Sequence, residues 1–320
     1  MNMAFIFPGQ GAQYVGMGMD LVAAYAIAKE TLAEADDALG FSLSKMIAAG
    51  PEEQLRLTYY TQPAILAVSV AALRALREQI DVQPRFVAGH SLGEYTALVA
   101  TGVIEYADAL RLVHQRGLYM DGAVPAGVGG MAAVLGADTD LLQGLCQVIS
   151  REHGAIVEVA NVNCPGQVVV SGTRTAVDEL VRRAAQAKAR RAVLLDVSGP
   201  FHSSLMEPAG ERLAELLADT TFAAASCPLI ANVSALPAAN PEEMRAALAR
   251  QVASPVLWEA SIRYMSDAGV NTYVELGPGD VLSGLVRKTD RAARTLHVDG
   301  ASSLQTTLTA LREGLHDARL

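Results

Sequence analysis

Gly89-His90-Ser91-Leu92-Gly93 follows a short apolar run, Phe86-Val87-Ala88, and precedes a stretch from Glu94 to Ala100 that reads as helix. Strand, sharp turn, helix is the setting in which G-x-S-x-G marks a nucleophile elbow. Such a turn strains the backbone at the serine. Its two glycines remove side chains that would collide where strand and helix nearly touch. The spacing therefore lifts Ser91 Oγ above the end of a strand. The amides of Ser91 and Leu92 are expected at the helix N-terminus, where free N–H groups and the dipole favour negative charge.

Working outward, Ala4 to Phe7 reads as a short buried strand, and Pro8 to Gln13 as a tight loop whose glycines permit close backbone approach. That loop is placed to supply a second oxyanion donor. Helical spacing covers Asp20 to Leu39, Thr61 to Glu78 with Pro63 near its start, and Tyr106 to Ala123, which carries His114 and Arg116. A glycine-rich hinge, Val124 to Gly130, then changes the pattern. From Met131 to Val197 the order is strand, helix, strand, strand, helix, strand, the split βαβ order of a ferredoxin-like α+β subdomain. Ser198-Gly199-Pro200 returns to the main body, where Pro228 to Asn232 reads as a strand and Thr272 to Leu276 as the last one. The expected fold class is α/β, a mainly parallel sheet covered on both faces. A discontinuous catalytic domain, 1–125 and 199–320, would carry an inserted subdomain at 126–198.

Composition narrows the function. Of 320 residues, 51% are apolar and 18% charged, enough for a sizeable core. A net charge of −9 without a basic run argues against nucleic acid as a partner. The longest apolar run, Ala64 to Leu73, is too short to span a bilayer, and the N-terminus fits no signal peptide. Three scattered cysteines suggest neither a disulfide framework nor a zinc site. A cytoplasmic protein with no membrane or metal partner is expected.

A serine nucleophile needs a base. Of six histidines, His90 adjoins Ser91 but should point to the opposite face, and His114 lies on a helix as a packing residue. His153, His297 and His316 carry no motif. His202 follows Gly199-Pro200-Phe201 in a loop at the domain boundary, where catalytic side chains are often presented. An ordinary loop histidine is the alternative. Between serine and histidine the acids Asp178, Glu179 and Asp196 fall inside the insert, so a dyad oriented by a backbone carbonyl fits better than a triad. Arg116 offers a fork of donors for a carboxylate, against the alternative of a solvated helix arginine.

The chain resembles the malonyl-CoA:acyl carrier protein transacylase family and the acyltransferase domains of polyketide synthases. The resemblance rests on Phe7-Pro8-Gly9-Gln10-Gly11-Ala12-Gln13, Gly89-His90-Ser91-Leu92-Gly93-Glu94-Tyr95, Gln115-Arg116-Gly117, Asn161-Val162-Asn163-Cys164-Pro165-Gly166-Gln167, Phe201-His202-Ser203 and Glu275-Leu276-Gly277-Pro278-Gly279. Each is weak alone; together and in order they are specific. The resemblance implies an α/β-hydrolase-like core, Ser91 as nucleophile, His202 as base, and Gln10 and Leu92 as backbone oxyanion donors. It further implies Arg116 as the carboxylate clamp, Gln251 as the carbonyl that orients His202, Asn161 as a cleft-lining polar residue and Phe201 as a residue that disfavours methylmalonyl groups.

The implied reaction moves malonyl from malonyl-CoA to the phosphopantetheine thiol of an acyl carrier protein through a malonyl-serine ester, without a cofactor. The pathway stays open: fatty acid biosynthesis, or a stand-alone acyltransferase of a polyketide synthase or malonate decarboxylase system. A serine hydrolase such as a thioesterase and a non-catalytic binding module are the competing classes. A carrier protein is acidic, as is this chain, so docking calls for a local basic patch. Candidates are Arg182-Arg183, Lys188, Arg190-Arg191 and Arg287-Lys288 with Arg291. No pairing surface is apparent, so a monomer is expected.

Overall fold

The computed structural model describes residues 2–317. Its strands are β1 (Met3–Phe7), β2 (Phe86–Gly89), β3 (Gly129–Leu135), β4 (Val157–Cys164), β5 (Gln167–Thr173), β6 (Arg191–Leu194), β7 (Leu229–Ile230), β8 (Pro237–Ala238), β9 (Thr272–Leu276) and β10 (Arg294–Val298). They form a six-stranded sheet in the order β10-β9-β1-β2-β7-β8 and a four-stranded sheet in the order β4-β5-β3-β6. The first is parallel except where β8 turns back on β7; the second is antiparallel throughout.

β1 is wholly buried, which is why it reads as an uninterrupted apolar run. Alternate residues serve opposite faces. Phe5 and Phe7 join one core with Leu66, Val70 and Leu73 of the helix Thr58–Gln79. Ala4 and Ile6 join another with Trp258, Ile262 and Tyr273. The antiparallel sheet has its own core, in which Val134, Val168 and Val170 meet Leu142 and Ile149 of the helix Thr139–His153 and Val177 and Leu180 of the helix Arg174–Arg183. β4 also pairs with a segment outside both sheets: Val162 N donates to Val256 O, and Val256 N to Ala160 O, both at 2.9 Å.

Helix Thr58–Gln79 and helix Tyr106–Gly122 pack unusually closely. Pro63 lacks the N–H that would bond the carbonyl four residues back, at Tyr59. His114 Nδ1 takes that carbonyl instead, at 2.6 Å. A Cβ on Gly117 would lie 2.4 Å from Tyr59 Cα, so only glycine allows the contact. These two residues flank Arg116 and fix its height against the neighbouring helix. Gly117→Ala should therefore lower both Tm and malonyl loading, measured by thermal unfolding and initial-rate assay; an unchanged loading rate would show that Arg116 does not depend on this contact.

Several sequence expectations are corrected. Thr272–Leu276 is not the last strand: β10 follows as a half-exposed edge strand whose mixed residues, Arg-Thr-Leu-His-Val, hid it. The expected helix from Asp20 to Leu39 breaks at Tyr25, which is extended. The strand expected over Pro228 to Asn232 contracts to Leu229–Ile230, because Asn232 turns its side chain to the elbow. The His316 side chain lies outside the described residues. Among the described residues, no helix is long and apolar enough to cross a membrane.

Candidate active site

The elbow forms as its glycines require. A Cβ on Gly89 would lie 1.9 Å from the Gly93 carbonyl carbon, and one on Gly93 would lie 2.1 Å from Phe7 O. Ser91 holds a φ of 50°, the left-handed region that a residue with a side chain seldom adopts. Asn232 holds that turn: its Oδ1 accepts from Ser91 N and its Nδ2 donates to Gly89 O, both at 2.7 Å. The Ser91 amide is thus committed and does not face an oxyanion, contrary to the expectation from the elbow alone. No acceptor among the described residues takes the amides of Gln10 or Leu92. Gly9 brings Gln10 in, since a Cβ there would lie 2.4 Å from His90 O.

Ser91 Oγ and His202 Nε2 are 2.8 Å apart. His202 also has a positive φ, 59°, and its amide bonds Val252 O at 3.0 Å. On the other side of the ring, Nδ1 faces Gln251 O at 2.8 Å and Ser254 O at 3.2 Å. Carbonyl oxygens only accept, so Nδ1 carries the hydrogen and Nε2 presents its lone pair to the serine. Burial, with the Arg116 charge next in effect, pushes His202 down to about 3, so the ring is neutral and ready to take a proton. None of the acids in the insert reaches it: Asp178 pairs with Arg174, Glu179 with Arg182 and Asp196 with Arg56.

Arg116 is 1% exposed and not a solvated helix arginine. Its guanidinium donates to Gln62 Oε1 at 2.8 Å, Gln251 Oε1 at 2.9 Å and Ser91 Oγ at 3.1 Å, and lies 5.4 Å from the Tyr95 ring centre. Its Nε has no partner. A guanidinium beside Ser91 Oγ with donor capacity left is chemically suited to a small carboxylate.

Three polar residues of this network, and the side-chain role of Gln251, escaped the sequence reading. Gln62, Asn232 and the side chains of Gln251 and Glu94 are all fully buried. A Gln inside an otherwise apolar helix was the one available signal, for Gln62. Asn161 is buried on β4 and bonds neither Ser91 nor His202; it is Asn163, two residues on, whose Oδ1 accepts from His90 Nε2 at 2.9 Å. His90 therefore points away from Ser91, as expected, and packs on Trp258. Phe201 is buried in the main core, its ring against Gly199.

Two openings lie near these residues; of Ser91, His202 and Arg116, only His202 lines either of them. One, about 180 Å³, is lined by Gln10, Gly11, His90, Asn163, Gln167 and Val281. The other, about 380 Å³, passes His202, Ser204 and Glu158. Among the described residues no cluster of three or more His, Cys, Asp or Glu side chains is placed to hold a metal ion.

Known proteins resemble the chain along nearly its whole length. The acyl transferase domain family matches residues 4–312. A malonyl CoA-acyl carrier protein transacylase of Bacillus subtilis (strain 168) is 44% identical over 98% of this chain and 98% of its own length. The protein of the same name from Escherichia coli (strain K12) is 46% identical over 90% of this chain and 92% of its own. Among solved structures, an acyl carrier protein S-malonyltransferase of Vibrio cholerae superposes with a TM-score of 0.93 at 42% identity, covering 96% of this chain and all of that one. A malonyl-transacylase in complex with its type II PKS acyl-carrier protein gives 0.94 at 40% identity, over 97% of this chain and all of that one.

Proposed function

The chain belongs to the acyl transferase family, and we propose that it moves the malonyl group of malonyl-CoA to the phosphopantetheine thiol of an acyl carrier protein. The observation that carries this is the buried Arg116 guanidinium, 3.1 Å from the oxygen of a serine already bonded to a neutral histidine. A plain hydrolase has no use for a carboxylate clamp there.

In this reading Ser91 Oγ attacks the thioester while His202 Nε2 takes its proton, and Gln251 O and Ser254 O support the imidazolium that forms. The Gln10 and Leu92 amides receive the oxyanion, and Arg116 holds the distal carboxylate. CoA leaves as the thiol, taking the proton back. The carrier thiol then attacks the malonyl-serine ester with His202 again as base, so the kinetics are ping-pong. No metal or redox cofactor enters these steps.

The four-stranded sheet, with its strand order β4-β5-β3-β6 and two helices, supports a ferredoxin-like insert at 126–198 on an α/β-hydrolase-like core. We place the protein in the cytoplasm as a monomer, in supply of malonyl groups to fatty acid or polyketide carrier proteins. For docking, Arg182 and Arg183 are engaged by Glu179 and Glu152, whereas the Arg191 and Arg291 side chains make no side-chain bond among the described residues. Lys288 reaches Gln167 at the smaller opening, 3.3 Å away. Reversing Arg191, Lys288 and Arg291 to Glu should raise the KM for carrier protein and leave that for malonyl-CoA unchanged; if neither constant moves, docking is elsewhere.

Intact-protein mass after brief mixing with malonyl-CoA tests the core of the proposal. One malonyl adduct is expected on the wild type, none on Ser91→Ala, and loss of the adduct on adding carrier protein. Release of CoA without an adduct would make the protein a hydrolase. Methylmalonyl-CoA should load poorly because the bulky Phe201 precedes the base; efficient loading would remove Phe201 from selectivity.

A further inference from the structure

Glu94 follows the elbow directly, three residues after Ser91, and is fully buried. Its Oε2 accepts from Asn232 N at 3.0 Å and from Gln251 Nε2 at 2.9 Å, while Oε1 has no partner. Both donors belong to residues that hold the catalytic pair: Asn232 fixes the Ser91 turn, and Gln251 presents its backbone carbonyl to His202. The Gln251 amide spans the distance between Glu94 and Arg116, with Nε2 on the acid and Oε1 on the guanidinium, each contact 2.9 Å.

An amide can be turned either way, and only its partners decide. Arg116 can only donate. Were the amide reversed, two sets of donors would face each other in a dry site, and a carboxylate would face a carbonyl oxygen. Acceptors at Glu94 and at Ser91 O, which takes the same nitrogen at 3.0 Å, therefore fix the orientation that suits Arg116. It also places a second carboxyl group next to the cation that a malonyl carboxylate must use.

We propose that Glu94 is a positioning residue of the transfer reaction: it orients the Gln251 amide toward Arg116 and, through its charge, sets how strongly Arg116 attracts a substrate carboxylate. This rests on the acyl-serine reading above. The charged and titratable groups around Glu94 are Arg116 from the helix Tyr106–Gly122, Tyr95 beside it on its own helix, and His202 beyond Gln251, with His90 farther behind. Burial raises the carboxyl group to about 7, against the bonds from Asn232 and Gln251 and the Arg116 charge that favour its anion. The neutral form leaves Arg116 without a counter-charge, and the anion offsets it.

The test measures the rate of Ser91 acylation from pH 5.5 to 9 with malonyl-CoA and acetyl-CoA, for wild type, Glu94→Gln and Glu94→Asp. In the wild type, kcat/KM for malonyl-CoA should fall as pH rises through about 7, while that for acetyl-CoA, which brings no carboxylate, should not. Glu94→Gln should lose that limb. At pH 8 its KM for malonyl-CoA should drop about fivefold or more, while kcat falls because the Gln251 amide loses its charged acceptor and is held by Arg116 and Ser91 O. Glu94→Asp should keep a limb. A wild-type profile that is the same for both donors overturns the proposal whatever the variants do. So does a Glu94→Gln enzyme that loses both donors in equal proportion at every pH. Failure of the wild type to form any adduct would instead overturn the acyl-serine reading itself.

Discussion

A His202→Ala enzyme is expected to acylate Ser91 about 10⁴-fold more slowly than the wild type at neutral pH, the upper range for loss of a positioned general base. The expectation follows from the absence of any substitute. Among the described residues, Ser91 Oγ has two side-chain neighbours within hydrogen-bond distance, His202 Nε2 and an Arg116 nitrogen. The arginine only donates and cannot take the serine proton. His90, next in sequence, is turned to Asn163 and Trp258. Quenched-flow mass measurement of the first turnover reads the step directly. A loss under tenfold would remove His202 from the role of base. The pH profile of the wild type adds a second check: with His202 held down to about 3 in the free enzyme, it should contribute no limb between pH 5 and 9.

Arg116→Ala is expected to cost malonyl loading about 2–5 kcal/mol, the range for removing one partner of a buried charge pair, which is roughly 30- to several-thousand-fold in kcat/KM. Acetyl loading should survive or rise. The reason is electrostatic as well as steric. Without a substrate carboxylate the guanidinium keeps its charge beside Ser91 and His202 and depresses the basicity of the ring. Removing it relieves the base while abolishing the clamp, so the two donors should move in opposite directions. Competition between malonyl-CoA and acetyl-CoA for the same acyl-serine, read by adduct mass, gives the ratio without correction for active fraction. Equal losses of both would take Arg116 out of selectivity and leave it a structural role.

The elbow, the split βαβ segment and the pairing of Ser91 with His202 could be read in the chain because each has a local signature: glycines at fixed offsets, an alternation of strand and helix, a histidine after Gly-Pro-Phe. The buried polar network had almost none, the place of Gln62 in its helix apart. Asn232, Gln62 and Glu94 are ordinary residues in sequence and acquire roles only when distant elements converge, as Asn232 does across 141 positions to reach Ser91. The misassigned Ser91 amide has the same origin, since its acceptor comes from the end of β7. β10 was hidden for a different reason. An edge strand with one partner and a wet flank need not alternate or run apolar.

The stretch from Gln251 to Val256 supplies three carbonyls to His202 and then pairs with β4. Mechanically it is an axle. If the antiparallel sheet swings to admit CoA and later a carrier protein, the rotation is smallest at this line and largest at the far rim. The imidazole is fastened to the line by its amide and its ring. Such a swing would widen the mouth for a donor and an acceptor of very different bulk and leave the contact between Ser91 and His202 the same in both halves of the cycle.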